Sequence, residues 1–302
     1  MRGQAAACGA GTILNALATG VGSAFAIDVE TTAAVTVEPE SGTVTGEVAG
    51  APDADTALIE RCVELATEAF GDGEGGHVRT ESDVPMAAGL KSSSAAANAT
   101  VLATLDALDV RIVDGADAAS EQAGGTDDAA AVSRVEACRL GVRAAREAGV
   151  TVTGAFDDAS ASMLGGVTVT DNREDDLLAH EAVDWDALVW TPPERAFSAD
   201  ADVARCERIA PMADLVAELA LDGRYGEAMT LNGLAFSAAL GFPTDPAIEA
   251  LPEVAGVSLS GTGPSVVAVG DRTALDALRP TWEERPGTTL STTTRDDGAR
   301  VL

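Results

Sequence analysis

The chain contains a single lysine, Lys91, against 18 arginines, and that lysine sits in the segment PMAAGLKSSS, residues 85–94. Gly89 lets the backbone approach an anion closely, and a helix starting at the serines would direct unpaired N–H groups and its positive dipole end at the same point. Serine hydroxyls there can bond a phosphate or a magnesium ion. The same residues also describe a serine-capped helix after a turn. What favours the anion cradle is the placement of the one ammonium group in the one loop suited to a polyphosphate. The segment is not a Walker A loop, which needs glycine directly before the lysine, where this chain has Leu90.

Two further glycine-bounded segments could do chemistry. GAFDDASASMLGG (154–166) sets the adjacent carboxylates of Asp157 and Asp158 in a turn that leads into a helix. One of them could serve as a catalytic base or hold a metal, or both could simply favour a helix N-terminus. SLSGTGPS (258–265) is a glycine-rich turn between strands. GDGEGG (71–76) matches G-x-G-x-x-G, but it follows a helical pattern, and Asp72 and Glu74 would repel a pyrophosphate, so a turn is expected and a dinucleotide site is not. His77 and His180 are too isolated for a zinc site or a histidine-based triad and are expected at the surface. Cys8, Cys62, Cys138 and Cys206 form no C-x-x-C pair and are expected to be reduced, structural thiols.

The elements that must position these residues are those of a large, small-residue core. The 302 residues include 46% apolar residues but only ten aromatics, which excludes disorder and leaves Ala, Gly, Val and Thr to fill the interior. A net charge of −30 leaves few residues for a basic face, which argues against nucleic-acid binding. Acid excess with so little lysine suggests a saline cytoplasm, where the Debye length falls to about 3 Å and self-repulsion is screened. Residues 3–27 carry no charge, yet five glycines with Gln4, Thr12, Asn15, Thr19 and Ser23 rule out a signal peptide or span. A soluble, cytoplasmic protein is expected, with no membrane partner.

Residues 33–37 and 43–48 alternate as strands, and 55–70 place Leu58, Cys62, Leu65, Ala66 and Ala69 on one helical face. HVRTES (77–82) predicts a strand, the serines to Leu108 a helix, and 127–148 a second long helix with Val132, Val135, Cys138 or Arg139 and Val142 on its face. A strand-like stretch at 150–153, a short helix and a strand after Gly165 and Gly166 follow. Beyond a boundary near 165, strands at ALVW, VSLS, GPSVVAVG and TTLSTTT and helices at 203–222, 224–240 and 273–279 build a second α+β unit.

Taken in this order, the three segments resemble the signature motifs of the GHMP kinase superfamily, which phosphorylates small alcohols with ATP. PMAAGLKSSSAA is similar to its P-x-x-x-G-L-x-S-S-A-A loop and SGTGPS to its C-terminal glycine motif; the resemblance spans nearly the whole chain. The opening CGAGTILNALATGVGSAFAI, the lysine in the loop and the GAFDDASASMLGG segment are most similar to the archaeal shikimate kinases, which with the acid excess points to a halophilic archaeon. Relatives often carry G-E-H where this chain has Gly11, Thr12 and Ile13, which argues against mevalonate or galactose kinase. Homoserine kinase, which shares the length and the loop, stays open, as does a non-catalytic sensor on the same fold.

The resemblance implies an α+β, two-domain fold: a ribosomal-protein-S5-like N-terminal domain over 1–165 that binds ATP and a ferredoxin-like C-terminal domain over 166–302. It implies ATP along Pro85, Met86, Ala87, Ala88, Gly89, Leu90, Lys91, Ser92, Ser93, Ser94 and Ala95, with Mg2+ on Ser93. A glutamate eleven residues before the catalytic aspartate would be Glu147, a second magnesium ligand or a solvated helix-end residue. The catalytic aspartate lies seven positions before the following G-G, which maps onto Asp158, with Asp157 as the alternate and Lys91 as charge stabiliser. The expected reaction is transfer of the ATP γ-phosphoryl group to the 3-hydroxyl of shikimate. Its acceptor wall is either the uncharged opening, through Thr12, Asn15, Thr19 and Ser23, together with Gly261 and Gly263, or, if that opening is buried sheet and helix, elsewhere. Neither the group that receives the shikimate carboxylate nor the oligomeric state is legible.

Overall fold

The computed structural model describes residues 1–85, 88–113, 130–151, 153–194, 196 and 201–302. The uncharged opening is sheet. β1 (Arg2–Leu14) and β2 (Val21–Glu38) form a long antiparallel pair, with irregularities at Cys8/Gly9 and Thr12/Leu14. The absence of charge in 3–27 is thereby explained as burial: Ala5, Ala6, Ala7, Ala10, Ala24, Phe25, Ala26 and Ile27 are fully buried. The far half of β2 pairs with β4 (Gly75–Ser82), which takes β3 (Val44–Val48) in parallel on its other edge. The near half of β2 would otherwise be an open edge. It is filled by β7 (Val167–Asp171), which carries β8 (Asp176–Glu181), so the strands after residue 165 first extend this sheet. The chain also ends on it, β13 (Arg300–Val301) pairing with β1.

Four helices cover this sheet: α1 (Ala57–Phe70), α2 (Ser92–Ala107), α3 (Arg134–Glu147) and α4 (Phe156–Leu164). Helix α2 has no polar face, and 12 of its 16 residues are buried between β1, β2 and the other helices. Small side chains permit the close fit: a Cβ on Gly3 would lie 2.1 Å from the Ala103 carbonyl oxygen. A central helix clamped on all sides makes a rigid base for the loop at its N-terminus.

The second sheet is antiparallel in the order β10 (Gly256–Leu259), β11 (Val266–Gly270), β9 (Asp186–Thr191), β12 (Thr288–Thr293). Helices α6 (Ala210–Leu221) and α7 (Tyr225–Leu240) wedge between the two sheets, α7 packing on both β10 and β1. Their shared core joins Ile13, Leu14 and Phe25 of the first sheet to Val267 and Val269 of the second. On the outer face, α8 (Asp245–Ala250) and α9 (Arg272–Glu283) bury Trp282 against Leu188 and Val257. A short α5 (Val203–Glu207) precedes α6, and β5 (Arg111–Val113) pairs with β6 (Ala131–Ser133). Among the described residues no helix is long and apolar enough to cross a membrane.

Two expectations need correction. The helix anticipated over 127–148 begins at Arg134; Val132 lies in β6, and 127–129 fall outside the described residues. A reciprocal capping box fixes that start: the Glu136 N–H donates to Ser133 Oγ (3.1 Å) and the Ser133 N–H to Glu136 Oε2 (3.2 Å). The stretch at 150–153 forms no strand among its described residues. Alternation alone makes no strand where no sheet edge is open to pair with, and Val150, Thr151 and Thr153 line a cleft instead. The four cysteines are free and buried, and both histidines are exposed.

Candidate active site

Two left-handed residues bring the chemistry together. Lys91 (φ 66°) ends the glycine loop and caps α2 without a side-chain hydrogen bond, while Ala155 (φ 52°), after Gly154 (φ 87°), starts α4. A non-glycine residue in this region costs about 1–2 kcal/mol and persists only where its surroundings over-determine it. Here both sit at the first turns of helices that face one another. As a result Lys91 Nζ stands 2.8 Å from Asp158 Oδ1, an ion pair whose geometry is not that of a hydrogen bond.

The two aspartates differ in setting. Asp158 borders the cleft with 17% of its side chain exposed, whereas Asp157 is buried at 5%. Asp157 Oδ1 accepts from Asn172 Nδ2 (2.7 Å), and Asn172 Oδ1 accepts the Asp157 N–H (3.0 Å). Its other carboxylate oxygen leaves no room at Gly22, where a Cβ would lie 2.4 Å away. Burial foremost, and then the neighbouring Asp158 charge, push the Asp157 carboxyl up to about 7, against the opposing pull of Lys91 and Asn172.

The phosphate-loop candidate and the C-terminal glycine motif are one structure. The Gly89 Cα lies so close to the motif that a Cβ there would sit 2.2 Å from the Ser260 carbonyl oxygen, and Ser260 Oγ donates to the Gly89 carbonyl (2.8 Å). The opening segment ties to the same motif: the Gly261 N–H donates to Thr12 Oγ1 (2.7 Å) and Asn15 Nδ2 to the Gly261 carbonyl (2.8 Å). Asn15 is itself held by Asn232, whose Oδ1 accepts the Asn15 N–H (2.9 Å).

Together these groups border a cleft of about 690 Å³. Of the residues singled out in the sequence, it gathers Thr12, Asn15, Gly89, Lys91, Ser92, Ser93, Ser94, Asp157, Asp158, Gly261 and Gly263. Leu90, Ala88 and Ala95 are instead buried supports; the Leu90 carbonyl accepts the Ala10 N–H (3.2 Å) and so pins the loop to β1. Pro85 is exposed and is not among the lining residues, and Met86 and Ala87 lie outside the described residues. Thr19 and Ser23 are not among its lining residues: Thr19 Oγ1 accepts the Val21 N–H, and Ser23 is fully buried in β2. Glu147 is not brought to the site either. It ends α3 on the surface, where Arg61 Nε (2.6 Å) and Arg143 Nε (2.8 Å) hold it and keep its carboxyl below the usual range.

Lys91 is the sole cation lining the cleft among the described residues, and no arginine joins it. The sequence reading missed Thr31, Thr80 and Ser82, which line it from β2 and β4, and the carboxylates Asp53 and Asp55. Thr31 and Ser82 share a hydroxyl–hydroxyl bond of 2.7 Å across paired strands. In sequence they are ordinary strand residues, and only sheet register reveals that they face the site.

Residues 57–166 match the model of the GHMP kinases N terminal domain. The chain is 64% identical to a shikimate kinase of Halobacterium salinarum over 301 residues, covering 100% of both chains. It is 46% identical to a shikimate kinase of Methanococcoides burtonii over 303 residues, covering 99% of both. In fold it is similar to the crystal structure of homoserine kinase from Cytophaga hutchinsonii, with a TM-score of 0.72 at 16% identity, covering 100% of this chain and 97% of that one.

Proposed function

The chain belongs to the shikimate kinases, a branch of the GHMP kinases, and from that premise we propose that its cleft transfers the ATP γ-phosphoryl group to the 3-hydroxyl of shikimate. The observation that carries the mechanism is the Lys91–Asp158 pair at 2.8 Å beside a helix start with no side-chain cap.

The residues present fit a polyphosphate. The first turn of α2 offers the N–H groups of Ser92, Ser93 and Ser94 without a capping side chain, together with the positive end of a 16-residue helix. They would also admit a magnesium ion, with Ser93 as its protein ligand. Ser93 is exposed at the helix start, and among the described residues no group of three His, Cys, Asp or Glu forms a protein cage. Glu147 has no part in this reading. When bound, ATP supplies the phosphoryl group and magnesium offsets part of its charge.

The protein's own work is positioning and charge stabilisation. Asp158, at the cleft edge, accepts and orients the acceptor hydroxyl proton. Its neighbour Lys91 holds the carboxylate in place at 2.8 Å, and a loose phosphoryl-transfer transition state asks for little deprotonation until late. Lys91 Nζ and the α2 amides stabilise charge on the equatorial oxygens of the transferring group. Thr12 and Asn15, which line the cleft, act through Gly261, whose N–H and carbonyl they hold. Asp157, whose carboxyl burial raises towards neutrality, carries less charge beside the reacting oxygen than a solvated aspartate would.

A coupled assay of ADP release in molar KCl with magnesium, comparing shikimate, homoserine and mevalonate, tests the proposal. Turnover with shikimate alone is the expected result. Turnover with homoserine in its place would keep the nucleotide half and overturn the acceptor assignment, and folded protein silent with all three would overturn catalysis.

A further inference from the structure

A second cavity, of about 360 Å³, lies in the C-terminal sheet region behind the glycine motif. Its walls include Trp190, Phe242, Pro264 and Pro286, with two charged residues among the described ones, Arg285 and Glu194. The mechanism uses none of them. Trp190, next to the end of β9, is only 6% exposed, and its indole N–H has no hydrogen-bond partner among the described residues. Arg285 lies over the Trp190 ring, its guanidinium carbon 5.5 Å from the centroid. Glu249 takes the Arg285 Nε (3.0 Å) and Nη2, which leaves Nη1 without a hydrogen-bond acceptor among the described residues.

This donor set has a definite complement. Apolar and aromatic walls call for an apolar or aromatic side chain. The spare Nη1 of an otherwise neutralised arginine calls for one carboxylate, and Glu194, exposed and without an ion pair among the described residues, calls for one ammonium. A monocarboxylate alone would add charge to a site already holding Glu194 and Glu249; an amine alone would leave Arg285 Nη1 unsatisfied. We propose that this cavity binds a free α-amino acid with an apolar or aromatic side chain, its carboxylate at Arg285 and its ammonium at Glu194.

The cavity shares a wall with the cleft. Pro264 lines it directly, and the Phe242 ring packs so closely on Gly263 that a Cβ there would lie 2.5 Å from the ring. Gly263 in turn lines the catalytic cleft. An occupant that moves Phe242 or Pro264 therefore displaces the loop that Thr12 and Asn15 hold, and the acceptor KM is the quantity that should respond.

Calorimetric titration of the full chain in molar KCl with L-phenylalanine tests the site without turnover, so it stands or fails independently of the kinase reaction. The expected result is saturable one-to-one binding below about 10 mM. Phenylpropionate, phenethylamine and L-alanine, each lacking one of the three recognition elements, should bind at least about tenfold more weakly. Glu194→Gln should weaken L-phenylalanine by about tenfold while leaving ligand-free kcat unchanged, and Trp190→Phe should weaken it less. No saturable binding would overturn the proposal. So would phenethylamine binding as well as the amino acid, or L-phenylalanine binding with unchanged affinity in both variants.

Discussion

Two ion pairs at the ends of neighbouring helices divide function from surface. Lys91–Asp158 joins the starts of α2 and α4 with side-chain exposures of 6% and 17%, and Arg61–Glu147 joins α1 to the end of α3 with exposures of 26% and 38%. Both are short contacts between opposite charges. The first is held by a left-handed lysine and a left-handed Ala155, borders a cleft and adjoins an uncapped helix start. The second has helical backbone at both ends, is shared with Arg143, Glu64 and Glu68, and faces water. What separates a reactive pair from a solvated one is therefore backbone strain, burial and an open neighbour, not contact distance.

The sharpest way to break that contrast is Asp158→Asn. It should lower kcat by roughly 10²–10⁴ with ATP affinity retained, the range for losing a general base, and steady-state kinetics with an independent nucleotide titration would check it. An unchanged kcat would remove Asp158 from the chemistry. Lys91→Arg comes next. Lys91 Nζ packs on Gly261, where a Cβ would lie 2.7 Å from it, so a longer, planar guanidinium cannot keep the position of the compact ammonium. A loss of roughly tenfold to 10²-fold in kcat is expected from the displaced charge, and full activity would make Lys91 a bystander.

Asp157→Asn sharpens the comparison through pH. The native carboxyl, raised to about 7 from 3.8, holds its proton in the folded state where the unfolded chain has released it. Stability therefore falls as pH rises from the unfolded value to the folded one, and the penalty is constant above it. Asparagine still accepts from Asn172 and carries no charge, so the variant should match wild type near pH 4 and exceed it above pH 7, with Tm moving on the order of 2–4 °C per kcal/mol. Thermal melts across that range, at fixed molar salt, read the difference. A variant less stable than wild type at pH 8 would mean that the fold stabilises the ionised Asp157 instead of penalising it, with Lys91 as its partner as much as Asp158's.

Much of this arrangement was legible beforehand, for reasons that differ by residue. Lys91 announced itself by type, alone among arginines; Asp157 and Asp158 did so by adjacency between glycines, and the start of α2 by its serines. The capping box at Ser133 and Glu136 was equally readable and would have set the α3 boundary. Thr31, Thr80 and Ser82 were not, because facing the cleft depends on pairing between strands some fifty residues apart. Thr12 and Asn15 were seen as cleft residues, but their grip on Gly261 is a contact across 246 residues or more that no local pattern encodes. The uncharged opening was ambiguous between wall and core because both exclude charge. It is largely core, and only its strand end reaches the cleft.

Glu147 is where the structure decides between a magnesium ligand and a solvated helix-end residue, in favour of the second, and it supplies the smallest expected effect. It lies eleven residues before Asp158, the spacing at which the resemblance implies a magnesium ligand, yet α3 carries it past the cleft to the surface, where two arginines hold it. Its carboxyl is lowered chiefly by the bond from Arg143 and then by that from Arg61, so the stabilisation it brings is present above the ordinary carboxylate range and is lost as pH falls through the lowered value. Exposed pairs of this kind contribute little, and molar salt screens them further. Glu147→Gln should accordingly leave kcat and its magnesium dependence within about twofold of wild type, the margin expected of a residue making only a surface pair. A magnesium titration of activity decides it. If half-saturation shifted by tenfold or more, Glu147 would have to swing toward the cleft during turnover, and the line drawn between the two ion pairs would have to be redrawn around both.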